Sequence, residues 1–241
     1  MLTNIRAIVL HSFKYGDNKV IVELLTGRWG RMSCIAKVSK TGRGKVSKQS
    51  FQPLFIIEAV IDMRQKPGLQ PIKEARVAAP YSSIPFEPCK TAIAMFTAEF
   101  LKCATQREPV DEAMFGYVED SLLWLDGCEH GYANFHLVFM MRMTRFFGFR
   151  PDTAGYEPGF WFDLRTGCFC PDAPMHHDAL SPDDARKMKA LMRMNFPTMH
   201  LYRMSRQERN RAADVIVEYY RIHMPGFPEL KSLPVLKELF G

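Results

Sequence analysis

No acidic residue occurs between Arg28 and Lys48, although seven basic residues fall in that span. No apolar run approaches the roughly 20 residues a membrane-crossing helix needs. Nothing like an apolar leader follows Met1-Leu-Thr-Asn-Ile-Arg6, so no signal peptide is expected. The six cysteines, Cys34, Cys89, Cys103, Cys128, Cys168 and Cys170, form no disulfide framework. They point to a reducing, cytoplasmic setting. H-E-x-x-H, G-x-S-x-G and the dinucleotide G-x-G-x-x-G are all missing. These absences argue against a secreted protein, a membrane protein and the commonest enzyme classes.

What is present begins with "TGRGKVSKQS", residues 41–50. Its Gly44-Lys45 pair invites a phosphate-cradling reading. A Walker A loop needs a glycine five residues earlier and a hydroxyl directly after the lysine. Ser39 and Val46 occupy those positions, so the loop lacks both the turn-forming glycine and the magnesium ligand. The surrounding charge is more informative. Residues 1–80 hold fourteen Lys and Arg against five Asp and Glu, whereas residues 81–241 hold eighteen against twenty-one. Positive charge concentrated in one third suggests a polyanionic partner, nucleic acid or an anionic membrane surface.

The same third reads as short strands between turn clusters: Ile5 to Phe13, Lys19 to Leu25, Arg31 to Val38, Phe51 to Met63 and Ile72 to Ala79. In the first, alternation places Ile5, Ala7, Val9 and His11 on one face. Five strands in about 80 residues suit an OB-fold, a small barrel that often binds oligonucleotides. Arg28, Arg31, Lys37, Lys40, Arg43, Lys45 and Lys48 are then candidate DNA-binding residues. Tyr15, Trp29 and Phe51 are candidates for base stacking, as single-strand binders combine cations with aromatics. The competing readings are core positions for Trp29 and Phe51, and lysines that only keep strand edges from aggregating.

After the linker Pro80 to Pro88 the periods are helical, over Cys89 to Gln106, Val110 to Asp126 and Gly131 to Phe147. Ser181-Pro-Asp-Asp184 and the capping box Ser205-Arg-Gln-Glu208 each open a further helix. Arg203, Arg206 and Arg209 offer a second phosphate-contacting surface, with solvated arginines as the alternative. Phe160 to Pro171 reads as a hairpin. Its Cys168 and Cys170, with His176 and His177 beyond, hint at zinc. However, the spacing is C-x-C and no second cysteine pair exists. No cofactor is expected.

The order of these pieces resembles the RecO family of bacterial recombination mediators. The resemblance is carried by "AIVLHSFKYGDNKVIVELLTGRWGRMSCIAKVSK", a basic loop, "FQPL", a helical region with a hairpin, and "YYRIHMPGFPELKSLPVLKELF" near the C-terminus. It implies an α+β protein. Residues 1–80 would be an OB-fold β-barrel. Residues 81–241 would be an all-helical domain with a small, degenerate zinc-ribbon-like hairpin insertion at about 155–178. It implies a non-enzymatic, cytoplasmic, nucleoid-associated DNA repair protein that binds single- and double-stranded DNA and anneals complementary strands. With RecR it would help load RecA onto strands coated by single-stranded-DNA-binding protein. That protein's acidic, apolar C-terminal tail would need a basic-rimmed apolar surface, for which Arg142 and Arg145 are candidates. Some relatives carry a four-cysteine zinc site. Here Gly155-Tyr-Glu-Pro-Gly159 has no cysteine and only Cys168 and Cys170 remain of it. The alternative is an OB-fold adaptor that mainly binds protein.

Overall fold

The structure, a computed structural model, describes residues 1–38, 46–64, 68–106 and 108–239. The chain divides into two compact units, Met1–Gly127 and Cys128–Gly241.

In the first unit, β1 (Leu2–Tyr15), β2 (Lys19–Thr26), β3 (Gly30–Lys37), β4 (Ile56–Asp62) and β5 (Gln70–Ala79) close a barrel in the order β1-β2-β3-β5-β4. The β3–β5 pairing is parallel and every other is antiparallel. This is the expected OB-type barrel. Alternation of apolar and polar residues produces it: Val20, Val22 and Leu24 of β2 fill the interior while Lys19, Ile21 and Glu23 point out. β1 serves two neighbours. Its first half pairs with β4, its second with β2, and Ile8 pairs with both.

The alternation along β1 breaks once. The register with β2 shifts between Val9 and His11, leaving Leu10 as a bulge. Ile5, Ala7 and Val9 are in the core, but His11 is not on their face as the pattern alone predicts. The extra residue turns His11, Phe13 and Tyr15 outward.

The chain between β3 and β4 returns through a 3-10 turn, Lys48–Phe51, capped by the Ser47 hydroxyl. Val46 and Phe51 plug the barrel core, and the Ser12 hydroxyl donates to the Phe51 carbonyl at 2.8 Å. Leu54 ends the "FQPL" stretch with φ of 65°, a left-handed conformation rare for a branched side chain. Its amide donates to Val9 and its carbonyl accepts from the Tyr81 hydroxyl, which hold that geometry in place.

Helices α1 (Pro88–Ala104) and α2 (Glu112–Gly127) belong with the barrel by packing, so the compact unit extends past the composition break at residue 80. Asp126 pins the linker to the end of α2. Its carboxylate accepts from the amides of Ser82, Ser83 and Ile84 at 2.8–2.9 Å. Lys90, 1% exposed, donates to the Ser83 hydroxyl and the Asp126 carbonyl and pairs with Glu87. Burial works to raise the Asp126 pKa, but the amides of Ser82, Ile84 and Ser83 and the Ser82 hydroxyl outweigh it, leaving the carboxyl below its ordinary value.

The second unit is built on α3 (Phe135–Met143), whose residues are buried nearly all round. Against it pack α4 (Pro182–Arg193) and α5 (Arg206–His223), and α6 (Ser232–Leu239) is tied to α5 through Lys237. Strands β6 (Trp161–Asp163), β7 (Cys168–Cys170) and β8 (Ala179–Leu180) form a sheet in the order β7-β6-β8. Gly167, at the hairpin turn, has φ of 70°, and a Cβ there would lie 2.5 Å from the Tyr219 hydroxyl. Only glycine fits. Aromatic contacts hold the hairpin: Phe169 sits edge-on to Tyr156 and Phe162, at 5.0 and 4.9 Å between centroids. Lys189 lies 3.9 Å over Tyr156.

Two outcomes are expected. A folded-state carboxyl pKa below the unfolded value of about 3.9 adds stability above that pH and loses it as pH falls through the lower value. Urea denaturation across a pH series should therefore show Asp126→Asn less stable at pH 7 and flatter on the acid side; parallel curves would contradict this. In the hairpin, Phe162→Ala should cost about 3–5 kcal/mol through the cavity it leaves. Cys168→Ser, Cys170→Ser and added EDTA should leave the Tm of the wild-type fold unchanged, and a drop with EDTA would reveal a bound metal.

Candidate nucleic-acid interface

Among the described residues of the basic run 28–48, the cations do not form one patch. In the β2–β3 register, Thr26 faces Gly30 at one end and Lys19 faces Lys37 at the other. The separation is seven residues, roughly 23 Å at about 3.3 Å per residue. Arg28 and Arg31 therefore sit far from Lys37. Arg28 is exposed and lies 5.1 Å over the Trp29 ring, which itself packs against the barrel core. Arg31 is committed internally. Its guanidinium donates to Glu23 at 2.7 Å and to the Lys102 carbonyl at 2.8 Å, tying β3 to the end of α1. Of the candidate DNA ligands, Arg31 thus has its guanidinium engaged within its own unit. Phe51, 1% exposed, is likewise a core plug and not a base platform.

The other end of the barrel gathers exposed cations. Tyr15, Lys19 and Lys37 stand opposite one another across β1, β2 and β3, and all three are exposed. Exposed Lys14 precedes Tyr15 and lies on the other face of β1, across from Val20, and exposed Lys48 lies on the 3-10 turn whose last residue, Phe51, bonds to Ser12 three positions before Tyr15. Lys40, Arg43 and Lys45 lie outside the described residues. The residues flanking them are anchored: the Val38 amide donates to the Asn18 carbonyl at 2.9 Å, and Val46 is buried. Sequence reasoning missed Lys14 and Lys19. Their signal was register: pairing β2 with β3 in the expected hairpin puts Lys19 directly across from Lys37.

The helical candidates are dispersed. Arg206 donates to the Lys237 carbonyl in the last turn of α6, and Arg209 donates to Asn134 at 3.0 Å and to the Met204 carbonyl at 3.0 Å. Burial lowers the Arg209 pKa. Burial, with the Arg209 charge nearby, also pushes His136 down to about 3, so that ring is neutral. Arg203 is exposed and lines a surface cavity of about 420 Å³ with His200, Tyr202 and Met204. Arg142 is half-buried and donates to the Met194 carbonyl at 3.2 Å. Arg145 is exposed, 4.6 Å over Phe146. Arg142, Arg206 and Arg209 thus satisfy carbonyls and an amide inside their own unit.

The hairpin thiols bond locally. Cys168 Sγ points to the Thr166 carbonyl at 3.5 Å and Cys170 Sγ to the Asp172 carbonyl at 3.3 Å. His176 pairs with Asp163 at 3.5 Å, and His177 is exposed. Among the described residues no three Cys, His, Asp or Glu side chains converge on one point. The donor set does not fit a structural zinc, which takes four ligands from two hooks. Among the described residues no helix is long and apolar enough to cross a membrane.

Two family models match in order along the chain: "Recombination protein O N terminal" over residues 1–81 and "Recombination protein O C terminal" over residues 86–234. The DNA repair protein RecO of Phocaeicola vulgatus is 45% identical over 241 residues, covering 100% of both chains. That of Bacteroides fragilis is 46% identical over the same length, again with 100% of each chain covered. That of Christiangramia forsetii is 33% identical over 242 residues and also covers 100% of each. The barrel, the helical unit with its hairpin and these full-length likenesses agree: the chain belongs to the RecO family of DNA repair proteins.

Proposed function

We propose that the protein is a non-catalytic recombination mediator that grips single- and double-stranded DNA at the Lys19–Lys37 end of its barrel and anneals complementary strands. The observation that carries this reading is exposed Lys19 directly across from exposed Lys37 at one barrel end, with exposed Lys14 and Lys48 on adjoining elements; the sequence between Lys37 and Lys48 adds Lys40, Arg43 and Lys45. Two strands repel through their phosphates. Cations held on a closed barrel lower that repulsion and release counterions as they do so. Phosphates carry no base identity, so such a grip is independent of sequence. Arg28 is a lesser, separate contact at the opposite end.

Family membership supports the partners: RecR, single-stranded-DNA-binding protein through its C-terminal tail, and RecA indirectly, in the cytoplasm at the nucleoid. For the acidic tail, the candidates are exposed Arg145, over the Phe146 ring, and exposed Arg203, which lines a surface cavity with Tyr202.

A salt titration of single-stranded DNA binding tests the reading. With Lys40, Arg43, Lys45 and Lys48 changed to Ala, the log–log salt slope should become shallower by about three, at about 0.7 per phosphate contact. Arg31→Ala should leave the slope unchanged and instead lower stability by about 2 kcal/mol. Absence of DNA binding by the wild type, with partner proteins still bound, would favour the adaptor reading instead.

A further inference from the structure

The outward face of β1, β2 and β3 carries a feature that charge does not explain. Phe13 is 44% exposed and Tyr15 is 53% exposed, on neighbouring outward positions of one strand. Same-face neighbours on a strand are spaced by roughly 7 Å. Phe13 stands across from Ile21, which stands across from Ile35; Tyr15, Lys19 and Lys37 form the next row. The surface is therefore two rings on an apolar floor with lysines at its edge. The row below is His11, Glu23 and Ser33. The His11 ring lies 5.8 Å from Phe13. Burial, then the Lys102 charge, lowers the His11 pKa. The acid of that row, Glu23, is already held by Arg31. Asp17, at the β1–β2 turn, is the other acid nearby.

We infer that this face is a base-stacking platform for single-stranded nucleic acid, on which Phe13 and Tyr15 each take an unstacked base while Lys19 and Lys37 hold the phosphates between them. The inference rests on the nucleic-acid reading above and adds the part of the ligand that the cations do not contact. Its physical basis is fit. Exposed rings at strand spacing have nothing to gain from phosphates, and every base offers a π-face. The lysines at the edge supply the charge complementarity, and a duplex, whose bases are stacked on each other, offers the rings nothing. The platform therefore makes the site prefer single strands over duplex.

The experiment compares an oligo-dT with an abasic oligonucleotide of the same length, for the wild-type full chain, for Phe13→Ala with Tyr15→Ala, and for Phe13→Leu with Tyr15→Leu. Wild type should bind oligo-dT at least about thirtyfold more tightly than the abasic strand, from two bases at about 1–3 kcal/mol each. Both double variants should lose that discrimination, keep the abasic affinity and keep the salt slope. Because both rings are substantially exposed, the variants should unfold at wild-type urea concentrations, which the same samples report. Leu variants that bind oligo-dT as wild type does would mean a merely apolar contact and overturn the stacking platform. So would a wild type indifferent to the bases, while its steep salt slope would leave the phosphate grip standing. A wild type that binds neither oligonucleotide would overturn both readings.

Discussion

At Leu10 the pairing of β1 with β2 slips by one residue, and the alternation of side chains along the strand reverses there. Before the slip, Ile5, Ala7 and Val9 fill the barrel; after it, Ser12 faces inward to bond Phe51, and Phe13 and Tyr15 face solvent. A period of two has no tolerance for an inserted residue, so one bulge exchanges the inner and outer sets of the rest of the strand. Without it, both rings would point at the barrel interior already occupied by Val20 and Val22.

The same strand braces the barrel. β1 hydrogen-bonds to β4 through its first half and to β2 through its second. Its Val9 backbone exchanges bonds with Leu54 and Phe55, and Ser12 bonds the plug. The cations at the Lys19–Lys37 end are thus mounted on β2, β3 and a capped 3-10 turn whose buried residues are part of the core. Arg31 does comparable work at the opposite end, where it joins β3 to α1.

In the helical unit, arginine serves architecture. Arg142, Arg206 and Arg209 each satisfy a carbonyl at a helix or turn terminus. The planar guanidinium suits that task, because its fork of donors reaches several acceptors in one geometry. The hairpin is organised by packing: Phe169 contacts both Tyr156 and Phe162, Tyr156 lies under Lys189, and Phe162 meets Tyr219.

The amino-acid sequence by itself determined the classes of element and their order. Alternation in Lys19–Leu25, the capping box at Ser205 and Glu208, and the proline after Ser181 are local signals that neighbours in the chain suffice to read. It also determined that positive charge gathers in the first 80 residues, since composition needs no coordinates. Tertiary structure alone decided which charges act together. Arg28 and Lys37 are close in sequence and far apart in space, because a strand is a rigid spacer. Lys19 and Lys37 are distant in sequence and adjacent across a ladder. Arg31, outward by pattern, stays on that face but is claimed there by Glu23 and a helix-end carbonyl within reach of its guanidinium. Charge can be counted along a chain, but the partner that claims each charge is set by packing.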